Sequence, residues 1–135
     1  MTIDGVGEWC TASIAYGKSS KIEVKQEMNF PHSIGLLYSA FTYFLGFKVN
    51  SGEYKLMGLA PYGNPNAEQT IQYINKIKSI LIDIKPDGSL WMDQSYFSYA
   101  TGLKMIKTSK WEKLFDLPKR KEESELTQPY CNLAL

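Results

Sequence analysis

Residues 32–63 read HSIGLLYSAFTYFLGFKVNSGEYKLMGLAPYG, and this stretch decides how the rest of the chain is read. Ser33 is placed to cap a helix running from Ile34 to about Leu45. Ile34, Leu37, Phe41, Phe44 and Leu45 recur at helical spacing as one apolar stripe. Gly35, Ser39 and Thr42 form a second face of small side chains, where another backbone can approach closely. Gly46 follows as a C′ glycine would. A turn at Asn50-Ser51-Gly52 then leads into two helical turns, Glu53 to Ala60, which Pro61 stops.

Working outward toward the N-terminus, Met1-Thr2-Ile3 reads as a strand end running into the turn Asp4-Gly5-Val6-Gly7-Glu8. Trp9 to Tyr16 is β-prone, and Gly17-Lys18-Ser19-Ser20 makes a turn. Lys21 to Met28 then alternates with period two. Ile22, Val24, Gln26 and Met28 lie on one face and Lys21, Glu23, Lys25 and Glu27 on the other, the pattern of a half-solvated antiparallel strand.

Beyond Gly63, Asn66 with Gln69 three residues later suggests a capping box. It would open a helix from about Ala67 to Leu81 with Ile71, Ile74, Ile77 and Leu81 on its buried stripe. Ile82-Asp83-Ile84 and Ser89 to Asp93 flank Lys85-Pro86-Asp87-Gly88, so this region predicts a second small hairpin. Trp111 to Leu117 is expected to be a short helix. The final residues, Asn132 to Leu135, read as a helix cut at its first turn. The fold class expected is mixed, α/β or α+β, with a β-hairpin, a buried helix and a small second hairpin.

Composition narrows the function. The chain has 135 residues, is 44% hydrophobic, and carries nine tyrosines, six phenylalanines and three tryptophans, which suits a packed core. A net charge of +1 gives no field favouring nucleic acid or an anionic membrane. Thr2–Gly7 is not an apolar signal core. The apolar run from Ile34 to Phe47 is shorter than the roughly 20 residues a membrane span needs. Cys10 and Cys131 match no metal or disulfide spacing and suit a reducing cytoplasm.

Several residues have the chemistry of a site. Asp4, Gly5, Gly7 and Glu8 place two carboxylates around glycines; taken by itself the pattern favours an ordinary turn over an anion nest or one arm of a metal site. Gly52, Glu53 and Lys55 combine a turn, a helix start and a cation, which attracts phosphate or simply faces water. His32 is the only histidine and sits beside a helix cap, so a structural role is expected for it. Lys104, Lys107, Lys110, Lys113, Lys119, Arg120 and Lys121 crowd one region. Thin aromatic interleaving there favours a solvated surface over an RNA-binding one.

Three blocks carry a family resemblance. Residues 4–9 (DGVGEW), 31–42 (PHSIGLLYSAFT) and 46–63 (GFKVNSGEYKLMGLAPYG) are similar to the nodulation-type O-carbamoyltransferases, a family that also tailors antibiotics. Thr101-Gly102-Leu103 and Glu125-Leu126-Thr127-Gln128 extend the similarity over nearly the whole chain.

This resemblance implies an ATPase-like domain of the actin and sugar-kinase superfamily, akin to the tRNA threonylcarbamoyl-adenosine synthesis protein. It implies ATP and a divalent or iron metal ion as cofactors, and carbamoyl phosphate and a hydroxyl acceptor as partners. The carbamoyl group would pass through carbamoyl-adenylate to a sugar or small molecule. By position, Asp4 corresponds to a metal ligand, with Asp4 and Glu8 as the catalytic carboxylates and Gly5 and Gly7 lining the same pocket. Gly52, Glu53 and Lys55 correspond to the turn that meets the nucleotide, with Gly58 allowing close approach.

The departures shape the expectation as strongly. The family's paired metal histidines would lie upstream of Asp4, and a further carboxylate belongs to another part of the domain. Near the end, the family pattern Gln-x-His-Met-Asp-Leu-Ala is replaced by Gln128-Pro129-Tyr130-Cys131-Asn132-Leu133-Ala134, as in a decayed or divided gene. Residues 1–135 are therefore expected to form a partial ATPase-like domain, truncated at both ends, inactive alone and holding no cofactor by itself. A non-catalytic partner module of a split enzyme is the alternative, with self-association through core-facing surface left bare on the long helix.

Overall fold

A computed structural model describes all residues from Met1 to Leu135. The architecture is mixed α/β, as expected, with two small antiparallel sheets and five α-helices. Strands β1 (Thr2–Ile3), β2 (Cys10–Lys18) and β3 (Lys21–Asn29) form one sheet in that order. Its register sets Thr2 opposite Ser13, Ser13 opposite Glu27 and Lys18 opposite Lys21, with irregularities at Cys10/Ala12 and Ile14/Ala15. Ser19 supplies the left-handed residue of the β2–β3 turn at φ +55°.

Helix α1 (Ile34–Phe44) begins and ends where the sequence places it. Ser33 Oγ accepts a hydrogen bond from the Leu36 amide at 3.0 Å. At the other end Gly46 takes φ +76°. Its amide donates to Tyr43 O at 3.2 Å and the Phe47 amide to Thr42 O at 3.0 Å, closing a Schellman motif. A side chain at Gly46 would place its Cβ 2.6 Å from Arg120 O, so the position needs glycine for packing as well as for backbone conformation.

Helix α2 (Glu53–Leu59) continues as a 3₁₀ turn, Ala60–Tyr62. Helix α3 (Glu68–Lys76) passes through a π-helical segment, Ile77–Leu81, into β4 (Ile82–Ile84). Strand β5 (Leu90–Met92) pairs with β4 around a turn closed by Gly88 N–H to Lys85 O at 2.9 Å. Helices α4 (Thr108–Phe115) and α5 (Gln128–Ala134) complete the chain. No helix is long and apolar enough to cross a membrane.

The core is an aromatic cluster between α1, α3 and α4. Trp111 has no exposed surface. Its ring lies 4.9 Å from Phe41, 5.5 Å from Phe44, 5.8 Å from Phe97 and 5.6 Å from Phe115, in tilted or edge-on geometries. Its indole N–H donates to Tyr96 O at 3.0 Å, so the one polar atom of this side chain is paired.

Four expectations are corrected. Helix α3 starts after Ala67 without a side-chain cap; the Asn66–Gln69 box does not form, because Asn64 Oδ1 accepts from the Asn66 amide and organises that turn instead. The expected buried stripe holds at Ile77 and Leu81, which pack in the core, but not in the first half of α3. Thr70 and Tyr73 point inward, held by Thr70 Oγ1 to Asn64 O and by Tyr73 edge-on to Phe115, while Ile71 and Ile74 are exposed.

Arg120 does not belong to the solvated basic run: it is buried and bonded entirely to main-chain carbonyls. Its guanidinium donates to Leu45 O at 2.9 Å, to Glu122 O at 2.7 Å and to Ser124 O. The fork geometry of arginine makes such a multiple backbone anchor possible. Finally, bare apolar surface is not confined to α1, where Ile34 and Tyr38 are exposed; most of it lies on the first sheet. Ile3, Ile14, Ile22 and Val24 are exposed, whereas Ala40, Phe44 and Leu45 around α1 are fully enclosed.

Candidate functional site

The Asp4–Glu8 loop is built against the start of α1. The Asp4 amide donates to Thr11 O at 2.8 Å, continuing the β1–β2 ladder by one bond. The Gly5 amide then bonds Asp4 Oδ1 at 2.6 Å, which turns the chain. Gly7 takes φ +55°, and a Cβ there would fall 2.6 Å from Cys10 O. Ser33 Oγ lies 2.6 Å from Gly5 O and 3.1 Å from Asp4 O while it caps α1. One hydroxyl therefore ties the helix start to the loop.

Gly35 completes this junction. A side chain there would bring its Cβ to 2.7 Å from Asp4 O and 2.9 Å from Gly5 Cα. The close backbone approach expected at Gly35 is therefore made, and it is made by the acidic loop.

The Gly52–Lys55 turn meets the same helix. Glu53 accepts from the Asn50 amide at 2.9 Å, from Ser39 Oγ at 3.1 Å and from the Gly52 amide at 3.2 Å. Burial pushes the Glu53 carboxyl upward, but these bonds to the charged form outweigh it and hold the group below its ordinary value. Gly52 is buried, with its Cβ position 2.7 Å from Lys48 O.

Gly35 and Ser39 are four residues apart, so the loop and the turn abut neighbouring places on one face of α1, separated by about 6 Å along its axis. Lys55 and Gly58 are exposed beyond the turn, with open space around Gly58.

Asp4 and Glu8 are exposed. Nowhere in the chain do three or more His, Cys, Asp or Glu side chains come together in a way that could hold a metal ion. The donor set around Asp4 thus does not by itself fit a catalytic metal, which needs several ligands in fixed geometry. Two clefts lie elsewhere. One of about 350 Å³ runs from Met1 and Ile3 to the Asp87–Ser89 turn, and one of about 570 Å³ lies beside Phe47 and Lys119. Neither includes the acidic loop or the Glu53 turn.

His32 has the structural role expected for it. Its Nδ1 accepts from the Met92 amide at 3.0 Å, and its ring lies 5.8 Å from Trp91. Only the neutral imidazole can accept in this way, and burial lowers the pKa from its ordinary value. The unfolded chain therefore takes up the proton first. Stability is full above about pH 6.5 and falls as the pH drops below it. Urea unfolding at pH 7.5 and 5.5 is expected to show a loss for the wild type that is smaller in His32→Gln.

Two residues escaped attention as position-setting groups. Asn132 is buried in α5. Its Oδ1 accepts from the Asn64 amide at 2.9 Å and from Gln128 Nε2 at 3.0 Å, while Nδ2 donates to Gln69 Oε1 at 3.0 Å. Tyr130 donates to Pro118 O at 3.1 Å. Both side chains knit α5 to its surroundings. The sequence does not reveal these partners, because Asn64 and Gln69 lie 68 and 63 positions from Asn132.

Comparison with known proteins places this arrangement. Residues 1–130 match the family model described as carbamoyltransferase N-terminus. An uncharacterized protein of Synechocystis, sll1178, is 51% identical over 134 residues, covering 99% of this chain and 21% of that protein. Nodulation protein NolNO of Sinorhizobium fredii is 45% identical over 67 residues, 48% of this chain and 9% of its own length. Nodulation protein NolO of Bradyrhizobium diazoefficiens is 41% identical over 68 residues, 49% of this chain and 12% of its own. The chain thus spans about a fifth or less of these relatives. With its acidic loop and Glu53 turn mounted on one helix, and with the family match running through both, the chain belongs to the carbamoyltransferase N-terminus family.

Proposed function

We propose that this chain is part of the ATPase-like domain of an O-carbamoyltransferase, an enzyme that uses ATP to carry a carbamoyl group from carbamoyl phosphate, through carbamoyl-adenylate, to a hydroxyl of a sugar or small molecule. The family match across residues 1–130 carries this reading. The geometry supports a division of labour within it. Asp4 and Glu8, with Gly5 and Gly7, form one wall of the reaction site, and Asp4 contributes one ligand to a divalent or iron ion whose other ligands lie outside these residues. Gly52, Glu53, Lys55 and Gly58 form the edge toward ATP. Within that edge Glu53 acts by positioning, since its carboxylate is occupied with Ser39 and the turn amides. Lys55 is the group free to meet phosphate.

A second reading follows from the absence of any clustered metal donors. The chain then serves as a non-catalytic partner of a polypeptide that supplies the remaining ligands. Both readings place the work in a reducing cytoplasm and agree that the chain alone is inactive.

Calorimetric titration with ATP, manganese or ferrous ion, and carbamoyl phosphate tests this. The chain alone is expected to give no heat beyond dilution. The longer Synechocystis relative, with its matching segment replaced by residues 1–130, is expected to bind. Tight binding and turnover by the isolated chain would overturn the one-wall reading.

A further inference from the structure

The cleft of about 570 Å³ beside Phe47 has the size of a small-molecule site. Tyr43, Phe47, Val49, Leu103 and Met105 give it apolar walls. Leu103 is the most exposed large apolar side chain of the molecule, with nothing packed over it. The charged groups in the lining are Lys48, Lys119 and Glu122. The cleft is shaped in advance of any ligand. Gly46, which lines it, is fixed at φ +76°, and the buried Arg120 guanidinium lies 5.3 Å from the Phe47 ring while it bonds Leu45 O.

Lys119 is the unusual group here. Its ammonium lies 4.3 Å from the centre of the Tyr43 ring, a cation–π contact that holds it against the wall. The residue is half-buried, and burial pushes its pKa down. No carboxylate pairs with it: the ion pairs of the molecule are Lys25–Glu23 and Lys85–Asp83. Glu112 Oε1 is taken by the Lys119 main-chain amide at 2.9 Å. The charges of Glu112 and Lys104 also act on the ammonium, with opposite sign. Lys119 therefore keeps N–H donors free for an anion.

We propose that this cleft binds a planar organic anion, an aryl carboxylate, with its carboxylate on Lys119 and its ring among Tyr43, Phe47 and Leu103. The anion restores to the ammonium what burial removes, and the ring covers apolar surface that is otherwise bare. Charge selects the headgroup. Two ammoniums against one carboxylate in the lining leave a surplus of one positive charge. A singly charged carboxylate matches that surplus, whereas a doubly charged phosphate ester exceeds it. The cleft is separate from the acidic loop and the Glu53 turn, so its occupancy does not depend on their part in carbamoyl transfer.

NMR titration of the full chain with naphthoate tests the proposal. Saturable shifts are expected at the amides of Phe47, Val49 and Met105, with a Kd of about 1 mM or tighter. Naphthalenemethanol keeps the ring without the charge, and acetate keeps the charge without the ring. Each is expected to bind at least about tenfold more weakly, and naphthyl phosphate is expected to bind more weakly than naphthoate. Lys119→Met retains the apolar stem and should lose at least about tenfold in affinity for naphthoate. Lys113→Met, outside the lining, should lose none, with circular dichroism confirming the fold of both. Absence of saturable shifts overturns the proposal, as does equal binding of naphthoate by Lys119→Met or of naphthalenemethanol by the wild type. Tighter binding of naphthyl phosphate overturns the carboxylate assignment.

Discussion

Replacing Trp111 with alanine is expected to lower the free energy of unfolding by about 3–5 kcal/mol, the range seen when a large aromatic is removed from a closed core. The side chain is fully enclosed and touches four phenylalanine rings from α1, α4 and the Phe97 segment. Its loss opens a cavity that rings held from three directions cannot collapse to fill. It also leaves Tyr96 O without the indole donor. Since a whole domain is stable by only about 5–15 kcal/mol, this one change removes a large share of the total. Trp111→Phe should cost less, because most of the ring contact survives and only the hydrogen bond and part of the volume are lost. Urea unfolding of the three proteins measures the order directly; equal midpoints for wild type and Trp111→Ala would contradict this picture of the core.

Gly35→Val is expected to cost about 3 kcal/mol, at the upper end for overpacking, and to displace the Asp4–Glu8 loop. Removing a helical glycine ordinarily stabilises by up to about 1 kcal/mol when alanine replaces it. At Gly35 the clash wins. The new Cβ would sit under 3.0 Å from three backbone atoms of Asp4 and Gly5, and backbone cannot rotate away as a flexible side chain can. Hydrogen exchange should therefore speed up at the amides of Gly5 to Glu8, while the aromatic core stays protected. Unchanged exchange in the loop would mean that α1 does not hold it in place.

These two sites also show how far the sequence could be read. Helix α1 was legible from end to end because its signals are local: Ser33 caps it and Gly46 closes it within a few residues. The hairpins of β2 with β3 and of β4 with β5 were legible from their β-prone runs and turns, although a bulge at Lys25 breaks the period-two alternation of β3, so its two expected faces do not hold. The small-residue face of α1 announced that something would approach Gly35 and Ser39. It did not announce what. The acidic loop arrives from 30 positions earlier and the Glu53 carboxylate from 14 positions later.

Failures share that cause. Arg120 looked like one more surface cation because its main anchor, Leu45 O, lies 75 positions away. The face of α3 was misjudged in its first half, where Tyr73 turns inward to meet Phe115 and leaves Ile71 and Ile74 outside; Ile77 and Leu81 pack on the core as their spacing suggested. Periodicity reports which residues can share a face, and tertiary contacts choose which face is buried. The candidate site was legible as two motifs, and their meeting on one helix was not.

Under the proposed function, Asp4 is one ligand of a metal whose remaining ligands lie beyond these residues. The most direct measurement is metal content of the Synechocystis relative carrying residues 1–130 in place of its own matching segment, with and without Asp4→Asn. The chimaera is expected to retain one equivalent of metal, and the Asp4→Asn form to bind it at least about tenfold more weakly with unchanged circular dichroism. Equal metal retention by the two proteins would contradict the assignment of Asp4.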